Sequence, residues 1–220
     1  ITLIAYSSHG CPDTIRGRYR VYPNPIDTFI STLSGCSPFT VTFNNLTYNG
    51  SRYYWFFGDG GSDTIVNPTH TFIGRYLLDT IYKVKMVSKS IHGCFGDTAV
   101  QFITVRSRPI ADFSASNLSG CTPTNIQFLN NSQGASSSQW SFGDGGTSTA
   151  INPNHTFINN TTKDTVFNVR LIVLSAQGCR DTITKSVTIF SRPVANFTMS
   201  RADSCGPFRV VFTNTSSNGN

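Results

Sequence analysis

The residues with the clearest chemical potential form the run Phe57-Gly-Asp-Gly-Gly61, which recurs as Phe142-Gly-Asp-Gly-Gly146. Glycine-rich loops bind phosphate where a strand leads into a helix, because the first helical N–H groups then point at the anion. Here the run leads instead into Thr-rich, β-forming sequence. A Ca²⁺ site needs about six oxygen ligands, and one Asp with scattered Asn and Thr supplies too few. Asp59 and Asp144 are therefore predicted to accept backbone N–H groups in a turn, with Ca²⁺ binding as the alternative.

The histidines and tryptophans recur in register with this run. His70 and His155 lie 85 residues apart, as do Trp55 and Trp140, and His9 is matched by His92. An active site is normally built once, whereas scaffold residues recur with the scaffold. No paired carboxylates, G-x-S-x-G or H-E-x-x-H occur. We therefore predict no enzyme, no catalytic residue, no cofactor and no metal. The histidines should bond a neighbouring turn and the tryptophans should lie in a core; exposed, sugar-stacking tryptophans are the alternative.

Cysteines also occupy fixed positions in the chain: Cys11, Cys36, Cys94, Cys121, Cys179 and Cys205. Their spacing in a repeating sequence predicts disulfides and an oxidising, extracytoplasmic setting. A zinc site is disfavoured because no C-x₂-C pair is present.

A third recurring signal is Asp-Thr followed by a small or aliphatic residue. The threonines concerned are Thr14, Thr64, Thr80, Thr98, Thr165 and Thr182. The pattern is similar to the O-glycosylation signal of Bacteroidetes, so these threonines are candidate glycan carriers. The competing interpretation is that Asp-Thr begins strands, with the carboxylate bonding the turn.

The bulk composition limits the partners that the chain can have. Of its 220 residues only 13% are charged, and the net charge of +6 comes from Lys and Arg scattered singly. This distribution disfavours nucleic-acid binding. No apolar run approaches the roughly 18 residues of a membrane span, no signal peptide is visible, and the chain opens on Ile. We expect an interior piece of a longer extracellular protein with no direct membrane insertion.

The elements that position these residues repeat with a period of about 85. Arg108-Pro-Ile-Ala-Asp-Phe reappears as Arg192-Pro-Val-Ala-Asn-Phe, 84 residues on. A fixed period is the signature of an array. We predict four segments: the closing hairpin of one repeat (1–22), two complete repeats (23–107 and 108–192), and the opening of another (193–220). The short junctions at Pro109 and Pro193 predict a stiff, linear array.

Within one repeat, several runs are typical of strands. Thr124-Asn-Ile-Gln-Phe-Leu-Asn alternates, the stretch around Trp140 does the same, and two longer runs flank Cys179 as a hairpin. Short edge strands are expected near Thr149 and His155. No segment sustains a helical period. The fold class predicted is all-β, with tandem seven-strand, immunoglobulin-like sandwiches.

Two disulfide patterns are compatible with the repeat. In one, Cys36 joins Cys94 and Cys121 joins Cys179 within single repeats. In the other, Cys36 joins Cys179 head to tail. If every strand reverses direction, the two cysteines of one repeat lie at opposite ends of the sandwich, about 20 Å apart. A disulfide tolerates about 7 Å between Cα atoms, so strand parity favours the head-to-tail pattern, with the remaining cysteines bonded to units outside this sequence.

These motifs resemble the PKD domain, an immunoglobulin-like module. The resemblance is carried by Trp, Phe-Gly-Asp-Gly, Asn-Pro and His-Thr-Phe in both repeats, from Trp55 to Phe72 and from Trp140 to Phe157. The variant with paired cysteine motifs is similar to tandem arrays in large proteins of Bacteroidetes exported by the type IX route, including gliding-motility adhesins.

The resemblance implies a structural stalk or filament segment of a secreted or bacterial cell-surface adhesin. Its partners would be neighbouring repeats of the same chain, with glycans or other surface proteins beyond them. Two alternatives stay open: a direct carbohydrate-binding or adhesive module, which needs an exposed aromatic platform, and accessory domains of a secreted hydrolase.

Overall fold

The computed structural model describes residues 1–200, 206–207 and 209–217, and its regular elements in that part of the chain are all strands. The prediction of an all-β fold is confirmed. The chain divides into two compact units, one formed by Ile1–Gly74 with Thr80–Val105 and the other by Arg75–Asp79 with Arg106–Asn220. Cys205, part of the cysteine pattern, lies outside the described residues.

The first unit contains an exposed hairpin followed by a β-sandwich. Its strands are β1 (Thr2–Tyr6), β2 (Pro12–Arg16), β3 (Phe29–Ile30), β4 (Ser34–Cys36), β5 (Phe39–Thr42), β6 (Asn44–Asn45), β7 (Arg52–Phe56), β8 (Ser62–Asp63), β9 (Thr69–Phe72), β10 (Thr80–Lys89) and β11 (Ala99–Arg106). Strands β4-β11-β10-β7-β8 form one sheet. The pairs β3–β6 and β5–β9 supply the opposing strands.

The second unit repeats this sandwich and adds a second hairpin. Its strands are β12 (Phe113–Ala115), β13 (Ser119–Cys121), β14 (Thr124–Asn130), β15 (Ser137–Ser141), β16 (Thr147–Ser148), β17 (Asn154–Phe157), β18 (Thr165–Leu174), β19 (Arg180–Phe190), β20 (Phe197–Met199) and β21 (Phe212–Asn214). The two sheets are β12-β14-β17 and β13-β19-β18-β15-β16. Counting β12 and β13 as halves of one split strand, the sandwich has the seven strands predicted.

Alternation of side chains along each strand builds one aromatic core per unit. In the second unit Phe128 is fully buried, with its ring centroid 5.6 Å from Trp140 and 5.5 Å from Phe142. In the first unit Phe43 lies 5.5 Å from Trp55. Each of these residues precedes its counterpart by 85 positions, so the repeat of the sequence is a repeat of core packing.

One short element was missed by the sequence. Cys36 and Cys121 end the strands β4 and β13, for which the sequence carries no clear strand pattern. Strand β13 runs parallel to the end of β19, with Cys121 opposite Phe190. Three residues that include a glycine carry too little alternation to predict a strand.

The division into 1–22, 23–107, 108–192 and 193–220 stays a prediction. The hairpins β1–β2 and β20–β21 fall inside the two segments expected to be partial repeats, and their strand residues are exposed throughout.

Candidate functional site

The Phe-Gly-Asp-Gly-Gly run forms a tight turn closed by an aspartate–histidine pair. Asp144 Oδ1 accepts the Gly146 N–H at 2.9 Å, and the Phe142 N–H bonds the Gly146 carbonyl at 3.0 Å. The second carboxylate oxygen lies 2.7 Å from His155 Nε2. An ionised carboxylate only accepts hydrogen bonds, so the histidine Nε2–H is the donor. Asp59 and His70 reproduce the pair in the first unit at 2.6 Å.

This pair joins the two sheets of each sandwich. Asp144 follows β15 of the five-stranded sheet, whereas His155 lies on β17 of the three-stranded sheet. The imidazole stacks on Phe142 with ring centroids 3.9 Å apart and an interplanar angle of 6°. The histidine thus links the turn to the opposite sheet through a charge-assisted hydrogen bond and a ring contact.

Two further motif residues secure the same region. The indole N–H of Trp140 donates to the Ala150 carbonyl at 3.0 Å. The side-chain oxygen of Asn152 accepts the Asn130 N–H, and the Pro153 carbonyl accepts the Phe128 N–H, both at 2.9 Å. The corresponding bonds recur in the first unit. The whole Trp-to-His motif is therefore a set of cross-links between neighbouring strands and loops.

The hydrogen bonds already made by Asp144 limit what this site can bind. Both oxygens of Asp144 are engaged, one by a backbone N–H and one by His155. Among the described residues no group of three or more His, Cys, Asp or Glu side chains is placed to hold a metal ion. The arrangement present is that of a structural turn.

Hydrogen bonding controls the ionisation of the two aspartates. Burial alone raises the pKa of Asp59, but the hydrogen bonds from His70 and the Gly61 N–H, together with the charge of His70, outweigh it, so the pKa lies below 3.8. The pKa of Asp144 is lowered in the same way by His155 and Gly146. A carboxylate with a depressed pKa stabilises the fold above its unfolded pKa of about 3.9 and loses that contribution as pH falls through its folded pKa.

We expect Asp59→Asn to lower the stability of the first unit by about 1–2 kcal/mol at pH 7 and to flatten its loss of stability in acid. Urea unfolding from about pH 5 down to about pH 2 measures both effects. The control is Asp97→Asn, because Asp97 is exposed and takes part in no salt bridge within the described part of the chain. Parallel pH curves for wild type and Asp59→Asn would contradict the assignment.

The cysteines fall into two groups. Cys36 and Cys179 are disulfide-bonded, whereas Cys11, Cys94 and Cys121 are free. Within the second unit, Cys121 lies opposite Phe190 at the end of β19, while Cys179 directly precedes Arg180 at its start. The length of β19 is about 33 Å, far beyond the reach of one disulfide.

The Asp-Thr positions divide by the role of the aspartate. Asp79 and Asp164 accept the backbone N–H groups of Ser107 and Ser191, and Asp181 accepts that of Ala111. Thr80 and Thr165 begin β10 and β18 and are half-buried. These three aspartates therefore hydrogen-bond the backbone of a distant segment. Asp13 and Asp63 instead accept N–H groups only from the one or two residues that directly follow them. The exposed threonines are Thr14, Thr64, Thr98 and Thr182.

O-glycosylation stays a prediction. The four exposed threonines are its main candidate sites. The mass of protein from its native source should exceed that of the bare polypeptide, with glycopeptides covering them. Thr40 and Thr42 are matched controls, since both are exposed but lack a preceding Asp. A native mass equal to the polypeptide mass, or modification of the controls as well, would exclude the signal.

Sequence reasoning missed one set of exposed residues. The sequence singled out no exposed aromatic side chain, yet Phe56 and Phe102 are 51% and 58% exposed. The available signal was local: Lys83 and Lys85 alternate with the inward residues of β10, which marks the opposite face of the sheet.

Residues 106–190 match the PKD domain family. This PKD match covers β12 to β19 and includes the Asp144–His155 pair. No curated protein matches the chain.

Solved structures resemble the chain only distantly. The PKD1 domain of the Vibrio cholerae metalloprotease PrtV is 24% identical, over 38% of this chain and 98% of that one, with a TM-score of 0.32. The fibronectin(III)-like modules of Clostridium thermocellum CbhA are 14% identical, over 76% and 94%, with a TM-score of 0.36. A tetra-tandem repeat in the extending region of a large adhesion protein is 11% identical, over 98% and 69%, with a TM-score of 0.29. At these values none of them bears on function.

PKD domains are common in extracellular proteins. Within the described residues no helix is long and apolar enough to cross a membrane.

Proposed function

We propose that this chain is a structural stalk segment of a large secreted or cell-surface protein, a bacterial adhesin of the type IX-exported kind, without catalytic activity of its own. The observation that carries the proposal is the duplication of the whole cross-linked scaffold. The Asp59–His70 and Asp144–His155 pairs and the bonds of Trp55 and Trp140 have the same partners in both units. Side chains whose contacts are repeated in both units are expected to have a structural role.

A stalk also needs stiff junctions between its repeats. The sequence leaves almost no linker around Pro109 and Pro193, and proline restricts the backbone further. We propose in addition that Cys36 bonds Cys179 head to tail. Both are disulfide-bonded, whereas Cys94 and Cys121, which the same-repeat pattern requires, are free. In an array that continues in the same register, the same rule provides Cys94 and Cys121 with partners in flanking repeats.

Solution scattering and peptide mapping of the oxidised 220-residue chain test this proposal. We expect a narrow, extended distance distribution and a non-reduced peptide that links Cys36 to Cys179. Cys36→Ser should remove that peptide and broaden the distribution, while Cys11→Ser, a control at a free cysteine, should change neither. A broad distribution in the oxidised wild type contradicts a stiff stalk, and a Cys36–Cys94 peptide contradicts the head-to-tail pattern.

A further inference from the structure

The five-stranded sheet of the first unit has an outer face that combines aromatic and basic side chains. This face, called here the basic–aromatic face, is formed by ten outward residues of β7, β10 and β11: Arg52, Tyr54, Phe56, Ile81, Lys83, Lys85, Val87, Lys89, Val100 and Phe102. The opposite side of the same strands carries the buried core residues Trp55, Val84 and Ile103. The outward side chains therefore have no role in that core.

The cations of this face have no acidic partner in the described part of the chain. Across the described residues, Arg52, Lys83, Lys85 and Lys89 appear in no salt bridge. No Asp or Glu occupies an outward position of β7, β8, β10 or β11 in this described region. Alternate residues of a strand are about 7 Å apart, so the three lysines follow β10 over about 20 Å and create a strip of positive potential.

Aromatic rings border this strip on both sides. Lys85 lies between Phe56 on β7 and Val100 on β11, and Lys83 lies opposite Phe102. The ammonium group of Lys83 is 6.0 Å from the Phe102 ring centroid, and that of Lys89 is 4.9 Å from the Phe95 ring centroid. Phe56, Lys83, Lys85 and Thr98 help to line an open groove of about 400 Å³ on this face. A ligand in the groove would contact charge and apolar surface together.

The second unit shows that the scaffold does not require these side chains. The register of its sheet is the same, with Ser141 opposite Arg170 where the first unit has Phe56 opposite Lys85. At equivalent outward positions Tyr54 becomes Gln139, Lys83 becomes Asn168, Phe102 becomes Ser186 and Lys89 becomes Leu174. Since the same sandwich forms with these polar or neutral residues, the residues of the first unit are free to serve an interaction.

We propose that the basic–aromatic face binds an acidic polysaccharide of the polyuronate type. The sugars of such a polymer present an apolar C–H face to a flat ring and a carboxylate to a cation, and both partners alternate on this surface. The hydroxyl groups of Tyr54 and Thr98 can bond sugar hydroxyls. Duplex nucleic acid carries one charge per about 1.7 Å, which is far denser than lysines about 7 Å apart. This binding face goes beyond the stalk role and does not depend on it.

Titration calorimetry of the 220-residue chain with polygalacturonate tests the proposal, with dextran as the neutral probe and a single-stranded oligonucleotide as the other polyanion. We expect binding to polygalacturonate that weakens as salt is raised, and none to dextran. The triple variant Phe56→Ser, Lys83→Asn, Phe102→Ser introduces only residues that the second unit carries. It should retain its thermal unfolding transition and lose affinity by about tenfold or more.

The second unit supplies matched controls. Arg170→Asn removes a cation from the equivalent face and should leave polygalacturonate binding unchanged. The reverse graft Ser141→Phe, Asn168→Lys, Ser186→Phe should add a second site per chain. No binding to polygalacturonate, equal affinity in the folded triple variant, a folded graft without a second site, or tighter binding of the oligonucleotide would each overturn the proposal, the last in favour of a nucleic-acid ligand.

Discussion

Replacing Gly143 with alanine is expected to destabilise the second unit by about 3 kcal/mol, among the largest effects of any single methyl group in this chain. Gly143 has φ of +87°, a conformation that costs a residue with a Cβ about 1–2 kcal/mol. A Cβ there would lie 2.9 Å from both the backbone N and O of Asn168. Those atoms belong to β18, which is fixed by β19, so the clash cannot relax without disturbing the sheet.

Gly145 provides the matched control for this substitution. It also has positive φ, +96°, but a Cβ at this position meets nothing within 4 Å. Gly145→Ala should therefore cost only the conformational strain, about 1–2 kcal/mol. Urea unfolding of both variants measures the difference. Equal losses would show that close approach to β18 is not what requires glycine at position 143.

Removing the Phe128 ring is expected to have the other large effect. Phe128 is fully buried and lies at the centre of the second core, in ring contact with Phe113, Trp140, Phe142 and Phe157. Phe→Ala at such a site costs about 3–5 kcal/mol. A small unit has a total stability of only about 5–10 kcal/mol, so Phe128→Ala should leave it close to unfolding.

Hydrogen exchange measured on individual peptides reports the loss of stability in each unit separately. Peptides from β18 and β19 should lose protection in Phe128→Ala, while peptides from β10 and β11 keep theirs. The control is Leu129→Ala on the same strand, because Leu129 is 51% exposed on the opposite face and should change stability by about 0.5 kcal/mol or less. Similar losses for Leu129→Ala and Phe128→Ala would contradict the core assignment.

Local periodicity made most of the fold predictable from sequence. Alternation over Thr124–Asn130 predicted β14 with the bounds that the structure shows, and the long runs on either side of Cys179 predicted the β18–β19 hairpin. Such predictions succeed because successive strand residues face opposite sides of the sheet. Alternation of apolar and polar residues along the sequence therefore identifies the buried face. The 85-residue repeat then transferred each assignment from one unit to the other.

Local periodicity does not predict contacts between residues that are far apart in the sequence. Strand β13 exists because β19 offers it hydrogen-bond partners about 70 residues away, not because Ser119–Cys121 prefers to be extended. The sequence predicted that His155 bonds a turn, but only the packing of β17 against the loop after β15 shows that Asp144 is its partner.

By itself, then, the sequence determined the repeat, the β-class, the strands with clear alternation and the recurring motif, because all of these are local or periodic. The tertiary structure decided which cysteines bond and which stay free, which aspartates cap neighbouring strands, and that Phe56, Lys83 and Phe102 share one exposed face. The reason is strand register: it sets which residues of separate strands become neighbours, and it depends on pairing across the whole sheet.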